Sequence, residues 1–321
     1  MKVLVTGATG FLGRHVLSSL LDLGYEVRAL TRCKPTWSAT ANVEWIEGDL
    51  TVDDLRPVVA GCDAVIHLAA QLTGPESEQK RIATDGTQRL LQAMDGAGVK
   101  RFVLASSFSV YDWNLVRKSV HEGSRLLDEH TGTDAGGYAI AKLAQERLAL
   151  DWARETNAQL TILRPAALWD KEHIPSFAVG QAVGPLLLVI APRRRLHLMH
   201  VKNCADAFAK ALSQPEAIDR TINLCDSERI TAWQLAWMVS KPGRQVRIPI
   251  PYFMGRVASS VLYWIHGRLL GGRIRIPSLL IPRQYVARFR PTACSNDMMK
   301  RVFGWYSPSF FEHARKHRVQ Q

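Results

Sequence analysis

A strand, a glycine-rich turn and a helix at the start of the chain constrain its fold more than any other feature. Residues 3–5 are a short apolar run, as in strands that are buried on both faces. Gly7, Gly10 and Gly13 follow, and residues 14–23 have the apolar spacing of a helix. In this context the glycines permit a tight turn and let the backbone approach a pyrophosphate, which the free N–H groups at the helix start would bind. The segment therefore predicts a dinucleotide-binding loop.

Strand and helix patterns alternate along the first half of the chain. The predicted strands span residues 26–30, 43–46, 64–68, 102–105 and 160–163, and the predicted helices span 51–59, 76–94 and 137–156, with Thr51 as the cap of the first helix. This alternation predicts an α/β fold, a Rossmann-type doubly wound parallel sheet.

The alternation weakens after residue 165, which predicts a second, smaller region. Helices are predicted at 201–213 and 231–239, a strand at 221–224 and extended chain at 245–251. We expect residues 1–165 to form the dinucleotide-binding domain, with 201–225 returning to it. Residues 166–200 and 226–321 then form the substrate-binding region, and a cleft lies between the two at the carboxyl ends of the strands.

Residues 256–270 carry apolar side chains at helical spacing, namely at positions 257, 261, 262, 265 and 269. The helix also carries Tyr263, Trp264 and flanking arginines, so contact with a membrane surface is one interpretation of it. Packing over the substrate cleft, or contact with a second copy of the chain, is the interpretation that we favour.

The charge of the chain favours anionic partners. The 321 residues include 41 Lys and Arg against 29 Asp and Glu, so the formal net charge is +12. Cofactor phosphates, a nucleotide substrate and an anionic membrane surface all fit this balance. We find no nucleic-acid-binding module in the sequence. The basic residues cluster late, for example in residues 193–195.

The cysteines indicate neither a metal site nor a disulfide framework. The five cysteines are scattered without a C-x-x-C pair, as expected for reduced thiols in a cytoplasmic protein. We also expect no signal peptide, since the sequence opens on a strand, and no apolar run is long enough to span a bilayer.

Tyr138 and Lys142 are spaced for acid–base chemistry. Four residues apart on a predicted helix, they share one face. A phenol with a pKa near 10 is a poor base at neutral pH, and a nearby ammonium lowers that pKa. Ser106, Ser107 and Ser109 follow the strand at 102–105, where a hydroxyl can polarise a substrate oxygen.

Taken in order, these motifs resemble one enzyme family. The motifs are Thr6-Gly-Ala-Thr-Gly-Phe-Leu-Gly13, Gly48-Asp-Leu50, His67-Leu-Ala-Ala70, Ser106-Ser107, Tyr138-x-x-x-Lys142, Leu163-Arg-Pro165, His200-Val201 with Ala205-Asp206, and Asn223. The chain resembles the extended short-chain dehydrogenases/reductases, the NAD(P)-dependent epimerase/dehydratase family. The resemblance covers about two-thirds of the chain.

The resemblance implies a role for each matching position. Tyr138 would be the acid/base, Lys142 would lower its pKa and hold the nicotinamide ribose, and Ser107 would be the catalytic hydroxyl. The implied cofactor-binding residues are Gly7, Thr9, Gly10, Phe11, Leu12, Gly13, Arg32, Asp49, Leu50, Leu68, Ala69, Ala70, Ser106, Tyr138, Lys142 and Pro165. The substrate-binding candidates are Gln71, Ser107, Phe108, Arg195 and His200. A homodimer through helices 76–94 and 137–156 is also implied, and no metal.

Departures from the family pattern bear on the cofactor and the reaction. Thr31 stands where NAD-preferring members carry an acid, and Arg32 and Lys34 follow it, which favours NADP over NAD. Phe108 and Ser109 replace the Asp-Glu pair of the dehydratases. The glycine-aspartate-glycine loop of sugar-nucleotide epimerases is absent before His200.

Three functions remain open at this point. We favour a soluble oxidoreductase or epimerase that moves a hydride at a hydroxyl or carbonyl carbon, with a nucleotide sugar as substrate. The first alternative is an NADPH-dependent reductase of a small or apolar ketone, similar to the flavonol-reductase and hydroxysteroid branches. The second is a cofactor-binding scaffold without chemistry.

Overall fold

The computed structural model of the protein describes residues 1–36, 42–71, 74–128, 134–240, 245–269 and 277–304. In chain order the strands are β1 (Lys2–Thr6), β2 (Glu26–Thr31), β3 (Val43–Glu47), β4 (Ala64–His67), β5 (Arg101–Ala105), β6 (Ser119–Val120), β7 (Gln159–Pro165), β8 (Ala167–Trp169), β9 (Gly180–Val183), β10 (Leu186–Ile190), β11 (Leu198–His200), β12 (Arg220–Leu224), β13 (Val246–Ile250) and β14 (Ala293–Cys294). The helices are α1 (Phe11–Asp22), α2 (Arg56–Val59), α3 (Glu76–Gly96), α4 (Gly137–Thr156), α5 (Val201–Ser213), α6 (Ala232–Val239), α7 (Tyr252–Leu269), α8 (Pro282–Phe289) and α9 (Asp297–Phe303).

The largest sheet in the described residues has seven strands in the order β12-β7-β5-β4-β1-β2-β3. Every adjacent pair in it is parallel. The order reverses at β1: β2 and β3 extend the sheet on one side of it, and β4, β5, β7 and β12 extend it on the other. A ligand crevice therefore opens beyond the carboxyl end of β1. The predicted doubly wound α/β fold is confirmed.

The core lies on both faces of this sheet. Val3 and Val5 pack with Val16 of α1 and Phe208 of α5 on one face. Leu4 points to the opposite face, into the cluster that holds residues of α3 and α4. Successive residues of a strand face opposite sides, so the uninterrupted apolar run in β1 supplies both layers at once.

The region after β7 is built from short strands. β10 pairs with β13 in parallel and with β9 in antiparallel orientation, while β8 and β11 form a separate pair. Trp169, Val189, Leu196 and Leu235 share a smaller apolar cluster there. Strands of three to five residues carry too few alternations to show a period, which is why residues 166–200 gave no pattern. β12, by contrast, lies at the edge of the main sheet. The domain boundaries stay a prediction.

The helix predicted at 51–59 is wrong in length and in its cap. Only Arg56–Val59 are helical. The carboxylate of Asp54 accepts a hydrogen bond from the backbone N–H of Arg56 at 3.0 Å. Thr51 instead donates its hydroxyl to Asp49 at 2.7 Å, which stabilises the turn after β3 rather than a helix start.

Of the apolar positions predicted on residues 256–270, those at 257, 261, 262 and 265 do not line the cleft, and the side chain at 269 lies outside the described part of the chain. Val257 is 60% exposed and Trp264 is 65% exposed. α7 packs on α8 through small residues instead, because a Cβ at Gly255 would lie 2.3 Å from the hydroxyl of Tyr285, and Ser259 is buried. Val257, Val261, Leu262 and Trp264 are therefore exposed, whereas Tyr263 and Ile265 are half-buried. Among the described residues, no helix is both long and apolar enough to cross a bilayer.

Candidate active site

The glycine loop closes tightly against the end of β4. Gly7 has a φ of +73°, and a Cβ there would lie 2.8 Å from the backbone nitrogen of Ala69. A Cβ at Gly13 would lie 2.2 Å from the carbonyl oxygen of Gly7. Side chains at these two positions would push the loop off the sheet, so the glycines set the depth of the crevice above β1. α1 begins at Phe11, immediately after the loop.

A cavity of about 860 Å³ extends from the glycine loop to α8. Most of the predicted site residues line it, and these are Gly7, Thr9, Gly10, Phe11, Leu12, Gly13, Arg32, Leu68, Ala69, Ala70, Ser106, Ser107, Phe108, Tyr138, Lys142 and Pro165. The hydroxyl oxygen of Ser106 is buried there without a hydrogen-bond partner in the described part of the protein. A cradle of glycines with an unpaired buried hydroxyl fits a dinucleotide, although the role of each residue stays a prediction.

Ser107 and Tyr138 are hydrogen-bonded to each other. Ser107 follows the carboxyl end of β5, and its oxygen also accepts the backbone N–H of Ser109 at 3.1 Å. Tyr138 lies in the first turn of α4. Burial raises the pKa of Tyr138 to about 12, and the hydrogen bond to Ser107 opposes this rise. The phenol is therefore protonated at neutral pH and can donate a proton.

Lys142 does not lower the pKa of Tyr138 in this structure, contrary to the sequence-based prediction. Its ammonium donates to the carbonyl oxygen of Ala105 at 2.7 Å and to the side-chain oxygen of Gln145 at 2.9 Å. Lys142 is itself buried, and burial lowers its pKa to about 7, against the attraction of Glu146. The charge of Lys142 is thus weakened, and its ammonium is hydrogen-bonded to Ala105 and Gln145.

The sequence profile of the NAD dependent epimerase/dehydratase family matches residues 3–225. The chain belongs to this family. The match runs from β1 to the end of β12 and so includes the whole seven-stranded sheet. Membership agrees with the glycine cradle and with the placement of Ser107, Tyr138 and Lys142 around one cavity.

Curated relatives of this family member act in oxidation or reduction, according to their names. The 3-beta-hydroxysteroid dehydrogenase of Mycolicibacterium neoaurum is 30% identical over 180 residues, or 53% of this chain and 48% of that protein. Vestitone reductase of Medicago sativa is 28% identical over 247 residues, or 64% and 71% of the two chains. The match spans about half the length of the hydroxysteroid dehydrogenases.

Solved structures share the fold along the full length of the chain. UDP-glucose 4-epimerase of Thermotoga maritima has a TM-score of 0.72 at 19% identity and covers 100% of this chain and 98% of its own. A short-chain dehydrogenase/reductase superfamily protein of Agrobacterium tumefaciens, solved with bound NAD, has a TM-score of 0.71 at 20% identity, covering 99% and 98%. At these identities the likeness concerns the fold alone.

A buried polar network links Lys142 to the family's glycine loop, and the sequence did not predict it. Gln145 donates to the hydroxyl of Thr87 at 2.9 Å and lies 3.1 Å from Nε2 of His67. Nδ1 of His67 is hydrogen-bonded to the hydroxyl of Thr6 at 2.6 Å. Burial, and to a smaller extent the charge of Lys142, lowers the pKa of His67 to about 3, so the imidazole is neutral. No cluster of three potential metal ligands occurs in the described residues.

Asp49, Leu50 and Gln71 do not line the cavity, although the resemblance implied that they bind ligands. Asp49 accepts hydrogen bonds from the backbone and hydroxyl of Thr51, and these bonds lower its pKa. Leu50 lies against α3, where a Cβ at Gly86 would be 3.2 Å from it. These positions are therefore placed beside the site rather than in its wall.

Arg195 and His200 also lie outside the cavity wall. Arg195 is exposed, whereas its neighbour Arg194 is buried and lines the cavity, because consecutive residues of extended chain point to opposite sides. The backbone N–H of His200 donates to Asp226 at 2.8 Å, and its ring packs on Trp169. His197 lines the cavity instead. The arginine that lines the cavity is thus one residue away from the one that the sequence suggested.

Proposed function

We propose that this family member is an NADP-dependent reductase or dehydrogenase that interconverts a carbonyl and an alcohol on a largely apolar substrate. The observation that carries this proposal is the part of the cavity beyond Ser107 and Tyr138. Its apolar wall is formed by Phe108, Trp113, Leu168, Phe177 and Leu196. Binding of a hydrocarbon group against such a wall is favourable by about 25 cal/mol for each Å² of apolar surface removed from water.

Ser107 and Tyr138 would hold the reacting oxygen of the substrate. Both hydroxyls can hydrogen-bond one carbonyl oxygen of the substrate, and the protonated phenol of Tyr138 can give that oxygen its proton during reduction. NADP, when bound, supplies or accepts the hydride. Lys142 keeps a buried, partly charged ammonium near the phenol, where it would contact the cofactor ribose as the resemblance implies.

The names of the curated relatives support this class of reaction. They include a 3-beta-hydroxysteroid dehydrogenase, a vestitone reductase and a putative dihydroflavonol 4-reductase. Arg32 supports NADP, because it lies at the carboxyl end of β2 and lines the cavity, where a cation suits a 2′-phosphate.

A nucleotide sugar remains the second candidate, because arginines line the same half of the cavity and could bind a diphosphate. The polar side chains of the cavity wall give less support to a nucleotide sugar. A hexose has several hydroxyls that need partners, yet no Asp, Glu or Asn is among the described residues of the cavity wall. A scaffold without chemistry is disfavoured because Ser107 and Tyr138 share a hydrogen bond in the cavity.

Cofactor turnover distinguishes these functions. The purified protein is incubated with NADPH or NADH and a panel of aryl and alicyclic ketones, and, separately, with UDP-glucose and UDP-galactose. We expect stoichiometric NADPH oxidation with at least one ketone and no interconversion of the sugars. Epimerisation of a UDP-sugar without net NADPH consumption would instead establish the second candidate.

A further inference from the structure

We propose that the substrate side of the cavity contains an anion subsite, formed by Arg194 and Arg288, for a carboxylate, sulfonate or phosphate on an otherwise apolar substrate. The inference deepens the proposed function and rests on it in treating the bound anion as part of a substrate. The subsite lies where α8 meets the loop after β10, at the end of the cavity away from the glycine loop.

Arg194 is a buried cation without a counterion. It is 9% exposed, and no carboxylate lies within 4.0 Å of its guanidinium among the described residues. One of its terminal nitrogens donates to the carbonyl oxygen of Ala178, while its Nε has no partner in that part of the chain. Burial lowers its pKa to about 10, so it stays charged at neutral pH. An uncompensated buried charge destabilises a fold unless something pairs with it.

Arg288 lines the same cavity from α8. Its guanidinium lies 5.8 Å from the ring centre of Phe177 and 5.9 Å from that of Phe289. Arg194 lies 5.7 Å from the same Phe289 ring, so both cations border one aromatic side chain. Arg288 likewise has no carboxylate within 4.0 Å among the described residues, and burial lowers its pKa.

The other cations of the cavity are already accounted for. Arg32 and Lys142 lie on the cofactor side, and Arg290 donates to the backbone oxygens of Trp113 and Asn114 at 3.1 and 2.9 Å. None of the described residues of the wall is acidic. Arg194 and Arg288 thus line a part of the cavity whose described wall carries no negative charge, which is the environment that an anion needs.

The surrounding wall defines the rest of the ligand. Phe177 and Leu196 flank the two arginines and are apolar, and His197 is held neutral because burial lowers its pKa to about 4. A ligand that fits therefore places its hydrocarbon against these side chains and its anionic group on the guanidiniums. A nucleotide diphosphate shares the anion but not the apolar body.

A pair of fluorescent dyes tests the subsite without any turnover. The probes are 8-anilinonaphthalene-1-sulfonate and N-phenyl-1-naphthylamine, which differ by the sulfonate, and they are titrated into protein saturated with NADP. Because Arg194 is buried, the half-buried Arg288 is changed instead, as Arg288→Gln and Arg288→Lys. We expect Arg288→Gln to weaken binding of the sulfonate dye about tenfold or more, the range of a lost charged hydrogen bond. The neutral dye should change less than about twofold, and Arg288→Lys should restore part of the sulfonate affinity.

Two control variants locate the dye. Arg125→Gln removes an exposed arginine that is paired with Asp128, and Trp264→Ala removes an exposed ring of α7. Both should bind the two dyes as the unmodified protein does. Equal weakening of both dyes by Arg288→Gln, no weakening of either, or loss of sulfonate binding in Trp264→Ala alone would overturn the subsite. Failure of the ketone panel would overturn the proposed reaction but leave this result standing.

Discussion

The ammonium of Lys142 lies 2.9 Å from the side-chain oxygen of Gln145, and both residues are almost fully buried. Gln145 in turn contacts His67 and Thr87, so the lysine belongs to a network that runs beneath the cofactor side of the cavity. From this arrangement we expect the lysine to act on the stability of the site as well as on its chemistry.

Stability should therefore depend on pH through Lys142. Burial lowers its pKa from 10.5 to about 7, whereas an unfolded lysine keeps its ordinary pKa. Between these values the unfolded chain binds more protons at this residue than the folded protein does, so the contribution of Lys142 to the unfolding free energy increases with pH. In urea denaturation, the unfolding free energy of the unmodified protein minus that of Lys142→Met should increase from pH 7 to pH 10. A difference independent of pH would contradict the lowered pKa. Gln145→Glu is the matched variant, because a carboxylate beside the ammonium raises its pKa and should reduce this growth.

Tyr138→Phe should remove the proton donor and little else. The loss in kcat should be about 100-fold or more, which is typical of a missing general acid, while NADP affinity measured by calorimetry stays within about twofold. Because burial raises the pKa of Tyr138 to about 12, ionisation of this phenol should not reduce the reductive rate between pH 6 and 10. Retained turnover in the variant would refute the assigned role.

Gly13→Ala should disrupt the cradle. The new Cβ would lie 2.2 Å from the backbone oxygen of Gly7, and a backbone atom cannot move aside as a flexible side chain can. We expect loss of NADP binding by calorimetry together with a lower melting temperature. Gly96→Ala is the control, since it lies in α3 with nothing within 4 Å of its Cβ, and it should stabilise the protein by about 0.5–1 kcal/mol. Equal effects of the two substitutions would contradict the packing of the loop.

Arg32→Ser should reveal the cofactor preference. If the guanidinium binds the 2′-phosphate of NADP, kcat/KM with NADPH should fall about tenfold or more, as expected for a lost charged hydrogen bond, and the value with NADH should stay unchanged. Lys34→Ser is the control, because Lys34 carries the same charge close by in the chain but does not line the cavity. Equal losses with the two cofactors would show that Arg32 does not discriminate between them.

The orientation of α7 can be tested by charge placement. Val257→Asp changes an exposed residue and should alter the unfolding free energy by less than about 0.5 kcal/mol. Ser259→Asp places a carboxylate at a buried position two residues away and should destabilise the protein by about 2 kcal/mol or more. Chemical denaturation that ranks the two variants in the reverse order would mean that the apolar face points inward.

The first half of the fold could be predicted because local rules and tertiary structure agree there. The apolar run at Val3–Val5, the glycine spacing and the alternation of strands with helices all demand the same parallel sheet. At Thr51 the local rule failed, since its hydroxyl binds Asp49 instead of capping a helix. No local pattern shows which partner a side chain will find once the turn has formed.

The substrate side was harder to predict for physical reasons of two kinds. Arg194 and Arg195 are adjacent in an extended segment, and a period of two makes the choice between them depend on a register that the sequence does not contain. α7 has an apolar face, yet Val257 and Trp264 on it are exposed, while the small residue Gly255 lies close to Tyr285 and Ser259 is buried. Composition alone favoured the opposite face.

The edge position of β12 governs the order in which the sheet can be completed. Thr161 of β7 is paired with Arg220 of β12, so the substrate-side strands β8 to β11 are synthesised between the two partners. Until residue 224 has left the ribosome, β7 presents an open row of N–H and C=O groups on a strand that is buried throughout except at its first residue. Such an edge readily pairs with a foreign strand. A nascent chain halted inside this interval would therefore be the form of the protein most exposed to aggregation and most dependent on chaperones.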